Sequence, residues 1–286
     1  MKRTIAILLV VLIFASCKKD ADLRPADLRP ADLRPSEGST GEDLSRPMMA
    51  KKPPAKTPVT PTLSFSGYTW TIIDSGTGTQ GPGPNQFSSS NAYVDANGYL
   101  HLELTKNTTT NTWQCASVEL NQSLGYGTYQ WQVEGRIDQL DPNVVFAMFN
   151  YSGVDGYDEM DIEYSKWGNA KNKTNLDFNL YPARGSNATN SEVTASVTLT
   201  QTYTTHRLIR SANEVDFQSL AGFQDDNTNL YASKSFYSPP TSISTLAMPV
   251  YMNLWLYQGK APTNGKNVEV IIHNFTFTPA TTNSRL

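Results

Sequence analysis

Three carboxylates at alternate positions are the residues of this sequence best suited to chemistry. They are Glu159, Asp161 and Glu163, separated by Met160 and Ile162. Alternate side chains of a β-strand point to one face, so the acids would share a face while the apolar pair packs behind them. Two carboxyl groups with different pKa values are what acid/base and nucleophilic chemistry on a glycosidic bond requires. An edge strand with a solvated acidic face is the alternative interpretation.

Residues 63–286 must position these acids, and their pattern predicts a single all-β domain. Turn signals separate short alternating segments, and no stretch of a dozen residues has a clean helical stripe. Many short strands of this kind indicate a two-sheet antiparallel β-sandwich. The segments with the clearest alternation are 99–104, 129–137, 175–181, 193–199 and 268–277.

The amino terminus has the layout of an export signal over residues 1–16. Two basic residues precede the apolar run 5–14, which is too short to span a bilayer, and two small residues lead to Cys17. The small residues before Cys17 resemble the lipobox of bacterial lipoproteins, which implies cleavage there and lipid on the thiol. Because Lys18 is not an acidic retention signal, we expect anchoring at the outer membrane of the cell envelope. A plain secretory signal is the alternative.

Residues 17–62 predict a tether between the lipid and the domain. The unit Ala-Asp-Leu-Arg-Pro occurs three times over residues 21–35, and a proline-rich stretch follows. A proline at every fifth position prevents a stable helix, and the composition offers too little apolar surface for a core. We therefore predict a semi-rigid spacer. A peptide docking motif is the alternative.

The charge of the domain argues against one class of partner, and its cysteine content argues against a disulfide. Residues 60–286 contain 12 Lys and Arg against 19 Asp and Glu. We expect no nucleic acid partner, because phosphate binding needs a basic surface. If Cys17 carries lipid, Cys115 has no partner for a disulfide, and we interpret it as a small buried hydrophobe.

The acidic segment 158–163 resembles the signature of glycoside hydrolase family 16 in its E-x-D-x-E form, and the bacterial lichenases (β-1,3-1,4-glucanases) are the most similar members. The resemblance implies a concanavalin A-like jelly roll whose concave sheet forms a cleft for a polysaccharide. Further segments resemble family strands in the same order along the chain: 97–102, 125–129, 148–153, 177–181 and 252–255.

The same resemblance assigns roles to the acids. It implies that Glu159 is the nucleophile, Glu163 the general acid/base and Asp161 an assisting group, in retaining hydrolysis of β-glucan. The length of the domain and its single catalytic strand predict an endo-acting monomer. Aromatic side chains stack on sugar rings, and Asn and Tyr bind hydroxyl groups. The candidate glucan contacts are Phe149, Tyr151, Tyr157, Asn179, Tyr181, Asn253 and Trp255, with Trp167 added because it follows the acidic strand; core packing is the alternative for any one of these aromatics.

The chain also departs from the family pattern. Ser117 and Glu119 stand where lichenases have Glu and Arg, and Tyr157 replaces a tryptophan, so the choice of glucan stays open. His273 stands where the family has an aspartate that binds structural calcium, and imidazole is a poor ligand for that cation. We therefore predict no metal and no cofactor. The alternative functions are transglycosylation on xyloglucan-like polymers and glycan binding without catalysis.

Overall fold

The computed structural model describes residues 60–281, and these form sixteen β-strands linked by turns. The predicted signal peptide, Cys17 and the tether up to residue 59 lie outside the described residues. The strands are β1 (Thr62–Phe65), β2 (Tyr68–Ile72), β3 (Gln86–Phe87), β4 (Ala92–Val94), β5 (Leu100–Asn107), β6 (Thr112–Leu120), β7 (Gly127–Glu134), β8 (Val144–Tyr151), β9 (Glu159–Tyr164), β10 (Leu176–Tyr181), β11 (Ser191–Ala195), β12 (Tyr203–Arg210), β13 (Glu214–Ala221), β14 (Leu230–Tyr237), β15 (Val250–Leu256) and β16 (Val268–Pro279).

Two antiparallel sheets contain nearly all of these strands. The first has the order β11-β10-β9-β8-β15-β6, and β2 and then β1 extend it beyond β6. The second has the order β14-β13-β12-β7-β16-β5, with β4 paired to β5. The hairpin strands β5 and β6 pair near their shared turn, so the two sheets are connected on that side.

The core lies between the two sheets, because each strand alternates buried apolar side chains with outward ones. Phe178 of β10 stacks on Phe217 of β13, with ring centroids 5.3 Å apart. The hydroxyl groups of Tyr164 on β9 and Tyr231 on β14 are 2.6 Å apart. These contacts join the first sheet to the second, and the predicted antiparallel β-sandwich is confirmed.

Two predicted strands run past the carboxyl ends of the observed strands. β7 ends at Glu134, and Ile137 lies in a 3₁₀ turn instead of the strand. β11 ends at Ala195 because the residues that follow are bonded elsewhere: the side chain of Asp138 accepts from the amide of Leu199 at 3.0 Å. Alternation alone extends both strands too far, since a 3₁₀ turn follows β7 and a side-chain bond holds the segment after β11.

Cys115 is fully buried in β6, and burial raises the pKa of its thiol to about 12. The structure therefore confirms the prediction that Cys115 is a small buried hydrophobe, because a thiol that does not ionise near neutral pH is a poor nucleophile.

Among residues 60–281, no helical segment has the length and apolar character needed to cross a membrane.

Candidate active site

The three predicted acids project from one face of β9, in the middle of the first sheet. Met160 and Ile162 are fully buried in the core on the opposite face, as the alternation predicts. Asp161 is only 3 % exposed, whereas Glu159 and Glu163 are half-buried. The outward face of β9 and its neighbouring strands is called the carboxylate face below.

Strand register determines which side chains surround each acid. Glu159 lies between Tyr151 of β8 and Tyr181 of β10. Burial, followed by the nearby negative charges of Asp161 and Glu159, raises the pKa of the Tyr181 phenol. Two of the three predicted tyrosines, Tyr151 and Tyr181, therefore flank the acid to which the resemblance gives the role of nucleophile.

The residues paired across neighbouring strands with Asp161 and with Glu163 form two further rows, and these rows contain more of the predicted contacts. Phe149 and Asn179 lie on either side of Asp161 in the ladder. Glu163 lies between Ala147 and Asp177, and Asn253 of β15 is opposite Ala147 on its other side. The row of Glu163 therefore consists of small and polar residues that lie beside the proposed acid/base.

Burial changes the protonation of all three acids. It raises the pKa of Glu159 to about 7, although a hydrogen bond with Asp161 acts in the opposite direction. Burial and the charge of Glu159 raise the pKa of Glu163 to about 8. Burial and its two acidic neighbours raise the pKa of Asp161 well above its usual range. Within residues 60–281 no Lys, Arg or His forms an ion pair with these carboxyl groups.

This arrangement provides both a carboxylate and a carboxylic acid near neutral pH. Because both pKa values are raised and the two groups interact, the pair loses its first proton at a lower pH than its second, so one glutamate is ionised while the other holds a proton. An ionised group beside a protonated one can attack an electrophilic carbon while its neighbour protonates a departing oxygen.

A turn with an unusual backbone leads into β9. Asp158 adopts a left-handed conformation with φ +50, which Asp tolerates better than most residues, and its side chain is buried. Its amide donates to the carbonyl of Pro182 at 2.9 Å, and its carboxylate accepts from the amide of Arg184. Asp158 therefore fixes the start of the acidic strand. The neighbouring Tyr157 is 36 % exposed, more than any other predicted contact.

An aromatic cluster lies on the carboxylate face beside Glu159 and Asp161. Phe149 and Tyr151 are joined there by Tyr251 of β15, which stacks on Phe149 with centroids 5.1 Å apart. Tyr251 was missed in the sequence, although its alternation with Asn253 and Trp255 places it on their face.

A second aromatic cluster lies near the row of Glu163. Trp167 contacts Trp255 and Tyr257, with centroids 6.2 Å and 5.7 Å away. The Trp167 indole donates a hydrogen bond to the carboxylate of Asp177, opposite Glu163. Trp167 therefore lies beside the row of Glu163, and its stacking on a sugar stays a prediction. Trp255 is buried and contributes mainly packing. Asp177 was also missed, because its pairing with Glu163 is a long-range contact.

His273 lies in the second sheet, away from the carboxylate face. Its ring is 2.6 Å from the carboxylate of Glu134 and packs at a tilt against the Tyr99 ring, with centroids 3.9 Å apart. No set of three or more His, Cys, Asp or Glu side chains in residues 60–281 is grouped to hold a metal ion. The absence of a structural calcium stays a prediction.

A polar cavity of about 500 Å³ occurs on the outer face of the second sheet. Arg207 lies in its wall and donates to Gln130, Gln218 and Asn227, so its charge stabilises the surrounding loop. None of the predicted site residues lines this cavity.

Comparison with solved structures finds the same fold in proteins that are described as β-glucanases or as members of glycoside hydrolase family 16. A β-glucanase of Bacillus licheniformis has a TM-score of 0.57 and 19% identity, over 77% of this chain and 97% of that chain. A family 16 protein of a Bacteroides ovatus mixed linkage glucan PUL, in complex with a product, has a TM-score of 0.56 and 13% identity, over 73% and 94%.

A third similar structure is an immunostimulatory antigen and pseudo β-1,3-glucanase of Mycobacterium tuberculosis, with a TM-score of 0.54 and 17% identity, over 74% of this chain and 91% of that chain. No protein-family model and no curated protein matches the sequence. Identities this low establish the shared fold and leave the activity to be argued from the site.

Proposed function

We propose that this protein is a retaining endo-β-glucanase that hydrolyses β-1,3-1,4- or β-1,3-glucan. The observation that carries the proposal is the placement of Glu159 and Glu163 on one face of β9, on either side of buried Asp161. Both end carboxyl groups are partly open to solvent, and burial raises the pKa of each.

In the proposed reaction the Glu159 carboxylate attacks the anomeric carbon while the Glu163 carboxyl protonates the departing glycosidic oxygen. A covalent glycosyl–enzyme ester forms and the carbon–oxygen bond to the leaving sugar breaks. Glu163, now ionised, then removes a proton from water, which attacks the same carbon and releases Glu159. Asp161 limits charge repulsion between the two glutamates by holding a proton of its own.

The charge of the face favours a neutral polymer. Besides the three acids of β9, Glu119, Asp177 and Glu192 belong to the same rows, and no cation pairs with them within residues 60–281. Sulfated or uronate polymers would be repelled by this charge, whereas a glucan presents only hydroxyl groups and apolar ring faces. The aromatic cluster of Phe149, Tyr151 and Tyr251 supplies stacking surfaces.

The similar structures support this substrate class by their own descriptions, as a β-glucanase and as a protein of a mixed linkage glucan PUL. The pseudo β-1,3-glucanase among them favours a second candidate, a glycan-binding protein without turnover. The intact carboxylate triplet favours catalysis, because binding alone needs no buried acids at alternating positions.

The proposal is tested with the full chain on mixed-linkage glucan, laminarin, xyloglucan and chitin, beside Glu159→Gln. We expect oligosaccharides from one of the two β-glucans, with the β-anomer formed first by NMR, and a loss of at least about 10³-fold in the variant. An α-anomer formed first would overturn the retaining mechanism. Transfer products on xyloglucan would indicate a transglycosylase, and binding without release would indicate the glycan-binding alternative.

We also propose that Cys17 is lipidated and anchors the protein at the outer membrane. The small residues before it support lipidation, and the basic Lys18 directly after it supports the outer membrane. Cys17→Ser is expected to remove incorporation of labelled fatty acid and to release the protein from the membrane fraction. If the variant still incorporated the fatty acid and stayed in the membrane fraction, the proposal would be overturned.

A further inference from the structure

Asp177 places a fourth carboxyl group directly opposite Glu163. The two residues are paired in the β9–β10 ladder and point to the same face. Directly opposite side chains have Cβ atoms about 4.5–5.5 Å apart, and like charges at that distance destabilise a sheet. Asp177 is only 2 % exposed, so water screens this repulsion poorly. The pair is therefore favoured only if one of its members holds a proton.

The surroundings of the two carboxyl groups differ in a way that decides where the proton resides. The Trp167 indole donates to Asp177, and a donated hydrogen bond stabilises the ionised form. Within the described residues no side chain donates to Glu163. Burial raises the pKa of Asp177 to about 6, against about 8 for Glu163. Asp177 is thus the member that ionises first.

Trp167 is held rigidly enough to act as a fixed donor. Its amide donates to the Ser165 hydroxyl at 2.9 Å, and the next amide, of Gly168, donates to the carbonyl of Pro142 at 2.7 Å. The ring packs between Trp255 and Tyr257. The loop therefore fixes the indole against Asp177.

We propose that Asp177, with its carboxylate fixed by the Trp167 indole, is a positioning residue that keeps the shared proton on Glu163. This inference rests on the proposed function, in which Glu163 must be protonated to act as the general acid. It extends that function by assigning roles to two residues outside the carboxylate triplet.

The direction in which Asp177 changes the pKa of Glu163 follows from the charges that face Glu163. They are Glu159 on its own strand, Asp177 on β10 and Glu192 on β11, and each of these charges favours its protonated form, whereas Asp161 holds a proton. Asp177 is the nearest of those on other strands. Removing its charge should lower the pKa of Glu163, and the general acid would then lose its proton at a lower pH.

The test is the pH profile of kcat/KM for Asp177→Asn, an isostere that can still accept from the indole. We expect the alkaline limb to move down by about one pH unit while the acid limb stays in place. Trp167→Phe should move the same limb in the same direction by a smaller amount, because Asp177 then competes for the proton. Asp177→Glu keeps the carboxyl group, so its alkaline limb should lie at the wild-type position.

Glu192→Gln is the matched control, because it removes a charge from an exposed side chain that is not directly opposite Glu163. We expect a smaller shift than in Asp177→Asn, since solvent screens that charge. A uniform loss of rate at every pH in both Asp177→Asn and Trp167→Phe, with both limbs unmoved, would overturn the proposal and leave these residues a purely structural role.

A second readout does not depend on turnover and separates this inference from the proposed function. The Glu163 carboxyl is titrated by ¹³C NMR in glutamate-labelled protein and assigned by loss of its signal in Glu163→Gln. We expect its pKa to fall in Asp177→Asn, even if no polymer is hydrolysed. An unchanged titration would overturn the role of Asp177 independently of any activity.

Discussion

The rings of Phe149 and Tyr251 lie nearly parallel on adjacent strands of the first sheet, with centroids 5.1 Å apart and 18° between their planes. Tyr151 meets Tyr251 at a steeper angle of 63°, with centroids 6.0 Å apart. The three rings form a continuous apolar surface beside Asp161. A sugar ring can stack there while its hydroxyl groups face the carboxylates.

Tyr251→Ala is expected to weaken glucan binding by about tenfold, because one ring of this surface is lost. The change should appear in KM and in the Kd of an inactive Glu159→Gln background, with little effect on kcat. Tyr251→Phe keeps the ring and should bind nearly as the parent does. Tyr237→Ala, an exposed ring on β14 in the second sheet, is the control. Equal affinity in Tyr251→Ala and in this control would contradict the stacking role.

The acidic strand was predictable because its information is local. Alternation of Glu159 to Glu163 identifies both its faces, and the same period-two signal predicts the sandwich. Tyr251 and Asp177 are different, since their positions beside the acids depend on the register between strands, which no single segment determines. Alternation along β15 could have identified Tyr251, whereas nothing local identifies Asp177 as the neighbour of Glu163.

Gly168→Ala tests the support of the Trp167 loop. Gly168 has φ +74, and an added Cβ would lie 2.9 Å from the Tyr257 ring. Backbone strain costs about 1–2 kcal/mol, and displacement of the ring adds to it. We expect a lower urea midpoint and an alkaline limb of the pH profile shifted down, because the indole moves away from Asp177.

Gly153→Ala is the matched control for that variant. Gly153 has φ +87, yet its added Cβ would meet no atom within 4 Å. It should therefore show the backbone strain alone, with a smaller loss of stability. If both variants lost the same stability, the contact between Gly168 and Tyr257 would not constrain the loop.

The raised pKa values predict a bell-shaped dependence of kcat/KM on pH. Glu159 must be ionised to attack, so the rate should rise with pH through about 7. Glu163 must be protonated to act as an acid, so the rate should fall through about 8. We expect the maximum between these values, measured on the polymer that is cleaved. An optimum near pH 5 with little activity at pH 7 would show that burial does not control these groups.

The same acids should make the fold less stable as pH rises. Their folded pKa values lie above the unfolded ones, so their contribution is fully present below about pH 4 and is lost as pH rises towards about 8. Glu163→Gln removes one such group and should raise the free energy of unfolding at pH 8 by about 1–2 kcal/mol, since solvent screens this half-buried carboxyl in part, or about 2–8 °C in Tm. At pH 4 the variant and the parent should unfold together. Glu214→Gln, at the start of β13 in the second sheet, is the control, and an equal gain there at pH 8 would mean that general charge repulsion explains the effect.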